Sequence, residues 1–254
     1  MNEDVKRIGL CLSGGGARGF AHLGVLQAIQ EFNIILTQLS GSSAGAFAAV
    51  LFAEGHAPHR ILEEIVEKSI WKYISFSPSK KGFFNLDKTA KILQQLIPHA
   101  SFEGLKTPVT VCASNMSRGI PAYFRTGDLL EPVCASAAIP VAFRPINING
   151  FDYLDGGLTN NLPLEGLELC DFKIAVNVTP FKKELPARNM KDIVLKSLYI
   201  SIDNQTKEKS GAADLNIVLE GIMKYDGFRF KHADKLFQLG YDAAIKQLQY
   251  LSSK

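Results

Sequence analysis

A serine lies between two glycines at residues 41–45, which read Gly-Ser-Ser-Ala-Gly. The spacing G-x-S-x-G is typical of a nucleophile elbow, a tight strand-to-helix turn that holds a serine oxygen out at the top of a sheet. This makes Ser43 a candidate nucleophile. Gly41 and Gly45 lack a Cβ and so allow the backbone to turn tightly around it. The simpler alternative is that Ser43 only caps the following helix, since serine is a preferred N-cap residue.

A second loop of small residues, Gly-Gly-Gly-Ala-Arg-Gly at 14–19, follows a short apolar run. It satisfies G-x-G-x-x-G, but a dinucleotide-binding fold also needs an acidic residue about 20 positions further on. No Asp or Glu occurs between Glu31 and Glu54, and the Gly-Lys-Ser/Thr of a phosphate-binding P-loop is absent. The remaining function for this glycine loop is an oxyanion hole. In an oxyanion hole, backbone N–H groups and a helix N-terminus face one developing negative charge.

A serine hydroxyl needs a base to act as a nucleophile. Of the histidines, only His232 lies far downstream, in the order of an α/β-hydrolase triad, but that fold places several strands before its serine and Ser43 has two. Asp155 follows a predicted strand and precedes two glycines, so its carboxylate can approach another loop closely. A plain turn aspartate is the alternative, because Asp-Gly is a common turn pair. The residues alone leave these interpretations open.

Apolar runs and helical periodicity alternate along the chain. Strands are predicted at 8–12, 34–39, 108–113, 122–125, 145–148, 151–154, 173–178 and 215–218, and Asn149-Gly150 is a strong hairpin signal. Helices are predicted at 18–30, 44–54, from Pro58, from Asp87, at 129–138, at 190–207 and from 233. This order indicates an α/β fold with a largely parallel sheet and helices on both faces. If the first two strands are parallel neighbours, both glycine loops emerge at the same edge of the sheet.

Composition excludes several classes of function. The 254 residues, 46% hydrophobic and 21% charged, suit one globular domain spanning 1–254. A net charge of +3 is too small to indicate a nucleic-acid partner. The four cysteines are widely spaced without C-x-x-C, which favours buried free thiols over a metal site. The N-terminus does not read as a signal peptide, and the longest apolar run is too short to span a bilayer, so we expect a cytoplasmic protein.

The two glycine loops and Asp-Gly-Gly at 155–157, in this order, resemble the patatin-like phospholipases, which are serine acyl hydrolases with a Ser-Asp dyad and no catalytic histidine. Further similar segments are 135–140 with 143–145, 160–163 and 240–244, so the resemblance covers nearly the whole chain. It implies a three-layer α/β/α architecture with a largely parallel central sheet. It also implies a lipid or acyl-ester substrate, a possible transient contact with a membrane surface, and no metal or cofactor.

By position in these motifs, the resemblance makes Ser43 the nucleophile and Asp155 its partner. The oxyanion hole would be formed by the glycine loop and the arginine that steadies it, namely Gly14, Gly15, Gly16 and Arg18. Two alternatives remain open. One is a soluble esterase or thioesterase with the same dyad, and the other is a catalytically silent protein that binds lipid or regulates a partner.

The segment 75–84 places three phenylalanines beside two lysines. Exposed apolar patches often mark interaction sites, so this segment could touch a membrane or cover the pocket. The alternative is that its phenylalanines pack onto the core.

Overall fold

A computed structural model of the chain describes residues 6–67, 75–79, 82–180, 190–227 and 229–252. The strands are β1 (Ile8–Leu12), β2 (Leu36–Ser42), β3 (Ser75–Ser79), β4 (Gly82–Asn85), β5 (Val109–Asn115), β6 (Ile120–Phe124), β7 (Ile146–Ile148), β8 (Phe151–Asp155), β9 (Phe172–Asn177) and β10 (Leu215–Val218). The α-helices are α1 (Phe20–Glu31), α2 (Ala44–Glu54), α3 (Pro58–Glu67), α4 (Asp87–Leu96), α5 (Leu130–Ser136), α6 (Met190–Ser210) and α7 (Ala233–Ser252).

Eight of the described strands form the central sheet. Five of them, in the order β10-β9-β1-β2-β5, run parallel, while β6, β7 and β8 add antiparallel pairings beyond β5. The expected α/β class with a largely parallel sheet is therefore confirmed, and the antiparallel part is confined to one side. The hairpin at Asn149-Gly150 is confirmed as well, because both residues have the positive φ angles that a tight two-residue turn needs, 51° and 83°.

The alternating side chains of β1 show that both faces of the sheet are buried. Leu10 and Leu12 are fully buried in the main apolar cluster, to which α1, α2 and α7 contribute. Cys11 points to the opposite face and packs in a smaller cluster with Leu162 and Leu167. Because successive strand residues face opposite sides, this alternation buries β1 on both faces, as expected for a parallel sheet flanked by helices.

Two local differences from the sequence prediction concern the first helix and the segment 75–84. A short 3-10 turn at Gly16–Gly19 precedes α1, so the α-helix begins at Phe20 rather than at Arg18. In the segment 75–84, for which no strand was predicted, β3 and β4 pair antiparallel. The side chains of residues 75–83 lie outside the described part of the chain. Phe84 packs against Phe143, with ring centroids 6.2 Å apart, which confirms core packing for this one phenylalanine.

No helix in the described ranges combines the length and the apolar character needed to span a bilayer.

Candidate active site

Ser43 occupies a strained turn between β2 and α2. Its backbone angles, φ 52° and ψ −122°, lie in a region that residues other than glycine rarely adopt. The turn is tight because a Cβ on Gly45 would collide with the carbonyl of Leu12, and a Cβ on Gly41 would come within 2.5 Å of the backbone of Gly45. The two glycines of the motif therefore let β2, β1 and the first turn of α2 approach closely. Strain of this kind is characteristic of functional sites.

The topology brings Asp155 directly to this turn. Ser42, the last residue of β2, is level with Cys112 of β5, and Asp155, the last residue of β8, is level with Ala113. The other edge of this part of β5 is taken by β6, so β2 and β8 must share one edge. They run in opposite directions and end head to head. Ser43 and Asp155 meet where the two strands end.

The two side chains form a direct hydrogen bond. The Ser43 hydroxyl donates to Oδ2 of Asp155 at 2.7 Å, and the N–H of Gly157 donates to Oδ1 at 2.8 Å. Both residues are buried, with Ser43 6% and Asp155 8% exposed. Burial raises the pKa of Asp155 to about 6, although both hydrogen bonds act to lower it. The carboxylate is thus a stronger base than an aspartate in water.

The glycine loop lies beside this pair, at the end of β1. A Cβ on Gly14 would lie 3.3 Å from Cβ of Ser43, so the loop backbone is close to the hydroxyl. The N–H of Gly14 donates to the carbonyl of Asn161 at 3.1 Å. No acceptor in the described part of the chain takes the N–H of Gly15 or Gly16. The resemblance places Gly14 in the oxyanion hole together with Gly15 and Gly16. The N–H of Gly14 is already engaged and is not free for that role, whereas the N–H groups of Gly15 and Gly16 are free within the described ranges.

Arg18 lies behind the loop and is only 2% exposed, so it is not a surface arginine. Its guanidinium donates to the Tyr199 hydroxyl at 2.7 Å and lies 5.0 Å from the centre of that ring. It also donates to the Met223 sulfur at 2.6 Å and to the Gly15 carbonyl at 3.5 Å. These contacts tie the glycine loop to α6. They support a positioning role for Arg18, as the resemblance implies.

Ser136 also belongs to the site, although no motif in the sequence points to it. Its hydroxyl accepts the N–H of Ser43 at 2.7 Å and donates to the carbonyl of Cys112 at 2.6 Å. Ser136 is fully buried at the end of α5. It therefore fastens the strained turn to β5 and accepts the backbone N–H of Ser43. The only sequence signal was its place in the segment 135–140, which does not indicate a hydrogen-bond partner.

The histidines lie elsewhere. His22 is fully buried, its Nε2 lies 2.7 Å from the carbonyl of Ser13, and burial lowers its pKa to about 4. His232 packs edge-on against Tyr225, with ring centroids 5.3 Å apart. No hydrogen bond joins a histidine to Ser43 or Asp155 in the part of the chain that the structure describes. This geometry favours the aspartate as the partner of the serine.

Two cavities open onto Ser43. The smaller cavity, of about 80 Å³, is also lined by Gly15, Asp155, Asn161 and Tyr199. The other, of about 170 Å³, extends away from the serine along α2 and is lined almost entirely by apolar side chains. Among the described residues, no group of three or more His, Cys, Asp or Glu side chains comes together as a metal site would require.

The chain is similar in sequence and in fold to known proteins. The family model described as patatin-like phospholipase matches residues 10–167. An uncharacterised NTE family protein of Mycobacterium tuberculosis is 30% identical over 176 residues, which are 68% of this chain and 49% of that protein. Lysophospholipase NTE1 of Candida glabrata is 25% identical over 282 residues, covering 98% of this chain and 16% of that protein. The chain thus spans half or less of the length of these relatives.

Among solved structures, VipD from Legionella pneumophila aligns with a TM-score of 0.57 and 17% sequence identity, covering 96% of this chain and 67% of that one. At this identity the likeness bears on the fold. It agrees with the α/β architecture, and the match of the family model over most of the chain agrees with the resemblance seen in the motifs. The chain belongs to the patatin-like phospholipase family.

Proposed function

We propose that the chain is a serine acyl hydrolase that cleaves carboxylic esters of lipids, with phospholipids and lysophospholipids as the first substrates to test. The observation that carries this proposal is the 2.7 Å hydrogen bond from the Ser43 hydroxyl to the buried carboxylate of Asp155. Membership of a phospholipase family and the similarity to a protein named lysophospholipase support the lipid ester as the substrate class.

In the first half of the reaction, Asp155 accepts the hydroxyl proton while the oxygen of Ser43 bonds to the ester carbonyl carbon. The carbonyl oxygen becomes an oxyanion and accepts hydrogen bonds from the N–H groups of Gly15 and Gly16. The N–H of Ser43 takes no part, because Ser136 already accepts it. When the tetrahedral intermediate collapses, the bond to the alcohol oxygen breaks, and that oxygen leaves with the proton from Asp155.

In the second half, a water molecule takes the place of the alcohol. Asp155 accepts its proton, the water oxygen bonds to the acyl carbon, and the same N–H groups hold the new oxyanion. Collapse breaks the bond to Ser43, whose oxygen recovers a proton from Asp155, and the fatty acid is released. One carboxylate thus serves as base and acid in both halves.

Burial is what suits an aspartate to this role. An ordinary aspartate, with a pKa near 4, is a weak base for a hydroxyl group. Here burial raises the pKa of Asp155 to about 6, which brings it closer to working pH while leaving it ionised at pH 7. The hydroxyl of Ser43 is already oriented towards it, so no rearrangement precedes proton transfer.

The test is the release of fatty acid from phosphatidylcholine vesicles and from lysophosphatidylcholine micelles. We expect the wild type to release fatty acid from at least one of them and Ser43→Ala to release none, while both proteins melt at similar temperatures. A folded wild type that releases nothing from either lipid or from soluble esters would contradict the proposal and favour a silent lipid-binding protein.

A further inference from the structure

The larger cavity beside Ser43 is a groove that follows one face of α2. Ala44, Phe47, Ala48 and Leu51 line it from that helix. The spacing of Ala44, Ala48 and Leu51 places them along one face, because residues three and four apart are neighbours on a helix. Two of these three are alanines, so the groove owes its depth to small side chains. It begins at the nucleophile and runs away from it.

The lining of the groove indicates the chemistry of its occupant. Ser43 and Thr89 are its only polar side chains among the described residues. Water in such a space would lack the two to four polar partners that ordered water needs. An alkyl chain, in contrast, would gain free energy with every methylene that it buries. Since the groove starts at the serine that attacks the ester carbon, the alkyl chain attached to that carbon fits it.

The length of the groove can be read from the helix. Seven residues separate Ala44 from Leu51, and an α-helix rises 1.5 Å per residue, which gives about 10 Å. An extended alkyl chain advances roughly 1.3 Å per carbon, because each bond of about 1.5 Å is inclined to the chain axis. The groove therefore takes about eight carbons in extended form.

Leu51 and Ile61 line the groove at the end of α2 that is far from Ser43. Both also line a separate small cavity of about 10 Å³, whose other lining residues include Arg60 and Glu64. These two apolar side chains, 2% and 4% exposed, thus stand between the groove and a polar region at the base of α3. A longer chain would have to bend away from this wall.

We propose that this groove binds the acyl chain of the substrate and that the wall formed by Leu51 and Ile61 sets the length of chain that it accepts. This inference rests on the proposed function, because it places the ester carbonyl at Ser43. It deepens that function by making acyl esters of medium chain length the preferred substrate class.

The test compares p-nitrophenyl esters with saturated chains of two to sixteen carbons. For the wild type we expect kcat/KM to rise about fourfold per added carbon, since a buried methylene contributes about 0.8 kcal/mol, and to stop rising near eight carbons. Leu51→Ala removes part of the wall and should move the maximum to chains at least about two carbons longer. Ala48→Leu, one turn after Ala44, fills the groove and should move the maximum to about four carbons.

The matched control is Leu93→Ala, the same change at a leucine that is also 2% exposed but does not line the groove. It should keep the wild-type chain-length profile even if it lowers stability. A gain of activity on long chains in Leu51→Ala cannot come from misfolding. An unchanged profile in both groove variants, or the same shift in Leu93→Ala, would overturn the proposal.

A binding measurement separates this inference from the proposed function. Saturated free fatty acids of the same lengths are titrated into each protein by calorimetry, which requires no turnover. The same order of chain lengths in binding supports the groove even if the wild type hydrolyses none of the esters. Hydrolysis of esters without the predicted shifts supports the hydrolase and overturns the groove.

Discussion

Ser43 and Asp155 are 112 residues apart in the chain, yet the hydroxyl of one donates a 2.7 Å hydrogen bond to the carboxylate of the other. The contact arises because β2 and β8 approach each other along the same edge of β5 and end head to head. Two side chains placed in this way are held by the sheet itself rather than by a flexible loop. Such placement is what pre-organised catalysis requires.

Asp155 sets the expected dependence of activity on pH. The base must be ionised, and burial raises its pKa to about 6. We therefore expect kcat/KM on a soluble ester to rise with pH, to be half-maximal near pH 6 and to be constant above about pH 7. His232→Ala serves as the control and should give the same profile. A profile already constant from pH 5 upwards would contradict the raised pKa.

The same carboxylate should lower stability at neutral pH. Its pKa in the folded state, about 6, lies above the ordinary 3.8, so the folded state holds the proton more tightly than the unfolded state. The free energy of unfolding therefore decreases as the pH rises from about 4 through 6. Asp155→Asn should match the wild type in unfolding free energy near pH 4 and exceed it by on the order of 3 kcal/mol near pH 8. Urea unfolding at both pH values measures this, and a difference independent of pH would contradict it.

Ser136 should act as a positioning residue for the nucleophile. Ser136→Ala leaves the N–H of Ser43 and the carbonyl of Cys112 without their shared partner, which relaxes the strained turn. We expect kcat to fall about tenfold to a hundredfold with little change in KM, because Ser136 lines neither of the two cavities beside Ser43. Ser136→Thr retains the hydroxyl and should recover part of kcat.

Thr110→Val is the matched control for Ser136. Its hydroxyl also donates to a backbone carbonyl, that of Gly166 at 3.1 Å, and it is fully buried on β5 away from both cavities beside Ser43. A similar loss of kcat in both variants would show that any buried hydroxyl on this sheet matters equally, and would remove the specific role of Ser136.

Short sequence patterns predicted those helices and turns whose conformation depends on neighbouring residues in the chain. Helix α2 was predicted with its observed bounds, because a run of small and apolar helix formers ends at Gly55, which adopts the positive φ of 106° that ends the helix. The Asn149-Gly150 turn was equally clear. The antiparallel pairing of β8 with β5 was not predicted, since it depends on which strand lies beside which after residues far apart in sequence have packed.

In the candidate site, too, local features could be predicted from the sequence and tertiary contacts could not. The spacing of glycines around Ser43 and after Asp155 reflects how closely backbones approach, and that constraint is visible in the sequence. The engagement of the Gly14 N–H with Asn161 and that of the Ser43 N–H with Ser136 are tertiary hydrogen bonds. No residue type or spacing in the sequence indicates these two hydrogen bonds, because serine and glycine occur in many turns for other reasons.

The most direct test of the dyad is hydrolysis of a p-nitrophenyl ester by the wild type, Ser43→Ala, Asp155→Asn and His232→Ala, each shown to be folded by its melting curve. We expect Ser43→Ala and Asp155→Asn each to lose at least about a thousandfold in kcat/KM, while His232→Ala keeps wild-type activity. A folded but inactive His232→Ala, or an Asp155→Asn with wild-type activity, would contradict the dyad and restore the histidine alternative.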